Sequence, residues 1–155
     1  MSTAGFEPDF LSFYGAACQR LFSRIEQSCM DELPWHERVS SVVVATLDLF
    51  AADPSLARAL VYQVDAEGAE AQARHRETLA RLAGLLRQGR EEVDAPSLPE
   101  HTEETLIGGL LFIVGRPLRS GELGHLPSLA PDLTEFLLIP YFGPEEAYRL
   151  VREAD

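Results

Sequence analysis

Lysine is absent from this chain of 155 residues. Its 13 basic residues are all arginines, dispersed among 25 acidic ones, and the net charge is −12. So negative a surface repels phosphate, whereas affinity for nucleic acid comes mainly from basic groups that displace counterions. Direct DNA contact by these residues is not expected. Cysteine is scarce too. Cys18 and Cys29 fall in one expected helix, roughly 16 Å apart at the helical rise, which is too far for a bridge. They are expected to be buried thiols in a reducing compartment.

Long apolar runs are also missing; every charge-free stretch is much shorter than a membrane span. The start, MSTAGFEPDF, has neither the basic opening nor the apolar core of a signal peptide. A cytoplasmic, membrane-free protein is the expectation. Histidine occurs four times, at His36, His75, His101 and His125, with no i,i+4 pair and no HExxH. Neither these nor the cysteines have metal-ligand spacing. No catalytic residue, metal or cofactor is therefore expected, and the chain does not look like an enzyme. Glu103–Glu104 and Glu145–Glu146 stand at helix starts, where the helix dipole accounts for them. Arg74, Arg76, Arg87 and Arg90 suit a solvated face.

What is present is helical periodicity. Leu11, Tyr14, Cys18, Leu21, Ile25 and Cys29 step by three and four, predicting a helix over Asp9–Cys29. Pro34 opens a second, in which Trp35, Val39, Val42, Val43, Thr46, Leu47 and Phe50 form one stripe. Val44, Ala45 and Leu49 make another side apolar, so this helix should cross the interior. Asp53-Pro54 caps a short helix over Ser55–Val64. Gly68 precedes a long one over Ala69–Gln88, with Leu79, Leu82, Ala83 and Leu86 inward and Glu70–Arg74 and Glu77–Arg81 pairs outward. After an acidic, proline-bearing loop over Glu91–Glu100, Thr102 starts a helix carrying LIGGLLFIVG, apolar on every side. Asp132–Tyr141 forms another, and Gly143-Pro144 separates it from a last helix ending near Arg152. No strand-like alternation and no repeat occurs. The expected fold is one all-α domain over 1–155 with about seven helices.

Two neighbouring all-round apolar helices, Leu106–Ser120 and Asp132–Tyr141, call for cover. A twofold dimer supplies it by packing both helices from each chain into a four-helix bundle. Leu106, Gly109, Leu110 and Ile113 from the first helix are expected at that interface. Leu133, Phe136, Leu137 and Tyr141 from the second would face them. Gly108, Gly109 and Gly115 would allow close backbone approach, at about 1 kcal/mol each against alanine. Pro117 should kink or unwind its helix.

PWHERVSSVVVATLDLFAADPSLARAL, LARLAGLLRQGR, EETLIGG and PDLTEFLLIPYFGPEEA, in this order and spacing, resemble the C-terminal effector-binding and dimerisation domain of TetR-family transcription regulators. The resemblance runs from Phe13 to Leu150. Ser2–Phe10 resembles the tail of the family's recognition helix and the aromatic turn after it. The chain has no room for the three-helix DNA-binding module with which that family begins. The resemblance thus implies a homodimeric ligand sensor whose DNA contacts are made only through a helix-turn-helix absent from these residues. It also implies a small, mostly apolar or amphipathic effector held between Asp9–Cys29, Pro34–Phe50, Ala69–Gln88 and Leu106–Ser120. The aromatic and small polar candidates there are Tyr14, Cys18, Phe22, Thr46, Phe50, Tyr62 and Phe112. The alternative is a stand-alone helical small-molecule-binding protein that does not bind DNA.

Overall fold

The computed structural model describes residues 9–94 and 97–153. Most of Ser2–Phe10 lies outside them, so the resemblance noted for that segment has no structural counterpart here. The described residues hold no strand. Eight α-helices follow in order: α1 (Asp9–Ser28), α2 (Trp35–Ala52), α3 (Pro54–Val61), α4 (Ala69–Arg87), α5 (Gly89–Glu92), α6 (Thr102–Ser120), α7 (Ala130–Phe142) and α8 (Pro144–Arg152). Seven of them are eight residues or longer, and α5 is a single turn. No single helix is long and apolar enough to cross a membrane.

Local chemistry places the breaks. At the α2–α3 junction the Asp53 side chain accepts the Leu56 N–H, satisfying a donor the first turn cannot pair internally, while Pro54 needs no partner there. The axes bend by 115° at this point, and Arg20 of α1 is paired with Asp53. The turn before α8 needs φ +86° at Gly143, a left-handed value that disfavours other residues.

Several expectations change. The helix expected over Ser55–Val64 ends at Val61, and Gln63–Ala66 continues as a 3-10 turn. Pro117 does not unwind α6, which runs to Ser120. It sits in the last turn, and its carbonyl accepts the closing Gly121 and Glu122 N–H groups. Cys29 lies just past α1 and is exposed; Cys18 is half-buried. Neither is the fully buried thiol expected. Neither Glu70–Arg74 nor Glu77–Arg81 closes as an ion pair. Arg81 instead lies 3.8 Å from the centre of the Phe22 ring.

The core is built by α1 on α2 and α3, α4 on α6, α3 on α6, and α7 between α2 and α8. Tyr14, Leu56, Leu118, Leu126 and Leu138 are buried almost completely. Burial of each such side chain contributes roughly 1.5–3 kcal/mol. The shelter of α7 differs from expectation. Leu133, Leu137 and Tyr141 turn into the chain's own core, as does Leu106 of α6. One chain thus covers much of the apolar surface that seemed to require a second.

Candidate functional site

Between α1, α2, α4 and α6 lies an apolar cavity of about 190 Å³. The α2 stripe anticipated from spacing makes up one wall in full: Trp35, Val39, Val42, Val43, Thr46, Leu47 and Phe50 all line it. Arg38 joins them from the same helix. Leu21 and Ile25 of α1, Leu79, Leu82 and Leu86 of α4, and Ile107, Leu110, Leu111 and Val114 of α6 close the other sides. These are the four segments expected to enclose an effector. Leu133 and Leu137 of α7 and Leu60 of α3 add to them. The wall reaches solvent at Cys29, Leu85 and Gln88, all exposed, near the C-terminal ends of α1 and α4.

Of the seven candidate ligand residues, Thr46 and Phe50 lie on the wall. Tyr14 stands behind it, buried and bonded to two wall residues. Cys18 reaches one of those at 3.5 Å. Phe22 lies under Arg81, and Tyr62 under Arg119 at 4.5 Å. Phe112 faces away from the cavity and is 66% exposed, more than any other large apolar side chain among the described residues.

Sequence reasoning missed the polar groups that serve this cavity. The buried His75 ring lines it, with Nδ1 3.0 Å from the Tyr14 hydroxyl. Thr78 donates to the Arg74 carbonyl at 3.1 Å and accepts from Tyr14 at 3.1 Å. The Tyr14 oxygen therefore accepts from His75, whose proton sits on Nδ1, and Nε2 is left as an acceptor. Burial pushes the His75 pKa below 6.5, outweighing the opposing pull of Asp65, so the ring is neutral near pH 7. Burial likewise raises the Tyr14 phenol. Only the i,i+3 spacing of His75 and Thr78 on the inner side of α4 hinted at this cluster.

A second buried polar cluster braces the wall at Trp35. Glu103, the second residue of α6, is fully buried. It accepts Arg90 Nε at 2.7 Å and Nη2 at 2.9 Å, and the Tyr141 hydroxyl at 2.7 Å. Arg87 approaches to 3.4 Å. Burial alone would raise the carboxyl, but these donors outweigh it and hold its pKa at about 2. Tyr141 is raised by burial and by the adjacent carboxylate. The dipole explanation offered for Glu103 is thus incomplete, and Arg90 is no solvated residue. It also bonds the Leu98 and Pro99 carbonyls, pinning the loop before α6. Tyr141 in turn meets Trp35 edge-on, ring centres 4.7 Å apart.

Two of the three α6 glycines, Gly109 and Gly115, serve contacts inside the chain. A Cβ at Gly109 would stand 2.9 Å from Phe136 Cζ, and one at Gly115 would press on Arg119 and Val61. Gly108 faces open space. Gly108, Gly109, Phe112 and Ile113 share one face of α6, with the half-exposed Phe136 of α7 lying across it.

No family model matches this chain, and no curated protein or solved structure is significantly similar to it. Among the described residues, no group of histidine, cysteine and acidic side chains is placed to hold a metal ion.

Proposed function

We propose that this chain is the ligand-sensing and dimerisation portion of a TetR-like transcriptional regulator, operating in the cytoplasm on a small, mostly apolar effector. The cavity among α1, α2, α4 and α6 carries this reading. An apolar enclosure with a few placed polar groups is the usual composition of a small-molecule site, and packed domains hold few spaces much larger than a water molecule. The face formed by Phe112, Ile113 and Phe136 is the surface through which two copies would associate. In such a regulator the effector binds one arrangement of the first long helix more tightly than the other. That difference resets the spacing of two DNA-reading modules, which must lie about 34–36 Å apart to enter successive major grooves. The modules would be helix-turn-helix units outside this chain, whose net charge of −12 disfavours contact with phosphate.

Fluorescence titration with the neutral apolar dye N-phenyl-1-naphthylamine tests the sensing half. Saturable binding with one site per chain is expected. Val43→Trp, which places an indole in the cavity, should weaken it at least tenfold while leaving the helical circular dichroism intact. Dye binding that ignores this substitution would refute the cavity as the site. An in-frame basic helix-turn-helix encoded upstream of Met1 is the expectation for the regulatory half.

A further inference from the structure

Of the residues on the cavity wall, only Cys29, Leu85 and Gln88 are exposed, so the mouth lies between the ends of α1 and α4. Arg38 of α2 lines the same cavity, and its charged side chain is tied to the segment beyond each rim. Nη2 meets Glu92 at 2.8 Å, in α5 just past Gln88. Nη1 lies 3.9 Å from Asp31, in the turn just past Cys29. The α5 side is a fixed post, because Arg90 beside Glu92 forks the buried Glu103 and bonds the carbonyls of Leu98 and Pro99. The Arg38 side chain, 13% exposed, is therefore the part that can swing, and Glu92, 46% exposed, is its principal latch. Asp31 is 98% exposed and more distant, so it adds little.

We propose that the Arg38–Glu92 ion pair is a gate that parts whenever a small apolar effector enters or leaves the cavity. This rests on the cavity being a ligand site and specifies how that site is reached. An apolar body forced past the closed pair would strip water from two charges with nothing to replace it. Parting the pair outward avoids that cost, since both groups already touch solvent and can rehydrate. The pair stands at the mouth whether the cavity is empty or filled. Such a gate slows entry and exit by the same factor and leaves the affinity alone, as lids that control passage do.

Stopped-flow fluorescence with N-phenyl-1-naphthylamine reads both rates: entry on mixing, and exit when excess butylbenzene chases the bound dye. Glu92→Gln removes the latch charge at a residue that does not line the cavity. Entry and exit should each quicken about fivefold, the worth of a partly exposed ion pair, with the dissociation constant unchanged within about twofold. Glu91→Gln makes the same change of net charge at the exposed neighbouring position and should leave both rates as they are. High salt should narrow the difference between the wild type and Glu92→Gln, because screening weakens the pair. Equal rates in Glu92→Gln and the wild type would overturn the gate. Faster exit with unchanged entry would overturn it too, because lost affinity makes the pair a piece of the wall. If the dye does not bind the wild type at all, the ligand site falls first and the gate with it; the two failures are therefore distinct.

Discussion

Glu103 is where the chain commits most to a single side chain. A carboxylate removed from water loses several kcal/mol of hydration, which the fork of Arg90, the Tyr141 hydroxyl, the nearby Arg87 and its own backbone N–H offset. Glu103→Gln keeps the shape and leaves Arg90 facing an uncharged partner, so a loss of about 3 kcal/mol is expected in urea unfolding near neutral pH. The pH dependence follows from the same contacts. Native Glu103 titrates at about 2 instead of 4.5, so the unfolded chain takes up the proton first. Its contribution is complete above about pH 4.5 and drains away as pH falls toward 2; the substituted protein should show a shallower decline over that interval. His75 works in a milder range. Its folded pKa lies below 6.5 because burial disfavours the charged ring, so stability should fall once the pH drops under 6.5. His75→Gln should flatten that slope when urea midpoints are compared at about pH 7.5 and about pH 5.5. A wild type with equal midpoints at both would show that the ring is not held neutral. Neither group stood out in the sequence, since Glu-Glu at a helix start is written identically whether it faces water or an arginine.

Elements were more legible than residues. The α2 stripe could be read because seven positions repeat at helical spacing, and the same seven form a wall. The void itself could not be read, since a cavity is what α2 and α4 leave unfilled and no residue spells it. Nor did periodicity disclose that α8 would lie along α7 and cover it. The single turn α5, directly after α4, holds a contact that only geometry reveals. Gly89 packs flat on the Trp35 indole, and a Cβ there would be driven into the ring. Tyr141, edge-on at 4.7 Å, and Phe142 at 6.2 Å back the ring on one side, so the relief it has is toward the cavity it lines. Gly89→Ala gains at most about 1 kcal/mol of helix propensity against an overpacking cost of about 1–3 kcal/mol. Overpacking wins. A net loss of roughly 1 kcal/mol or more in thermal unfolding is expected, together with altered dye binding, because Trp35 is cavity wall as well as core.

At the scale of the whole molecule, the contest is between self-coverage and a partner. The ten-residue apolar run LIGGLLFIVG in α6 and an apolar α7 suggested surfaces that one small chain could not hide. The fold hides more than that: Leu106, Leu133, Leu137 and Tyr141 are all internal. What stays in water is a compact remainder, with Phe112 66%, Phe136 38% and Ile113 37% exposed around the bare Gly108. The proposed association would draw on these side chains and work against the mutual repulsion of two chains, each with a net charge of −12. Added salt should therefore tighten a dimer by screening that repulsion, whereas it would loosen one built on ion pairs. Phe112→Asp removes the most exposed ring of this patch and, in the proposed dimer, would bring a carboxylate from each copy to the interface. Residues at the centre of such patches typically contribute about 2 kcal/mol or more, or upward of thirtyfold in dissociation constant. Sedimentation equilibrium at micromolar concentration should find the wild type dimeric and the variant monomeric, with both keeping the same helical content and the same dye site. A wild type that sediments as one chain at every salt concentration would leave Phe112 a solitary surface ring, and the twofold sensor would lose its physical basis.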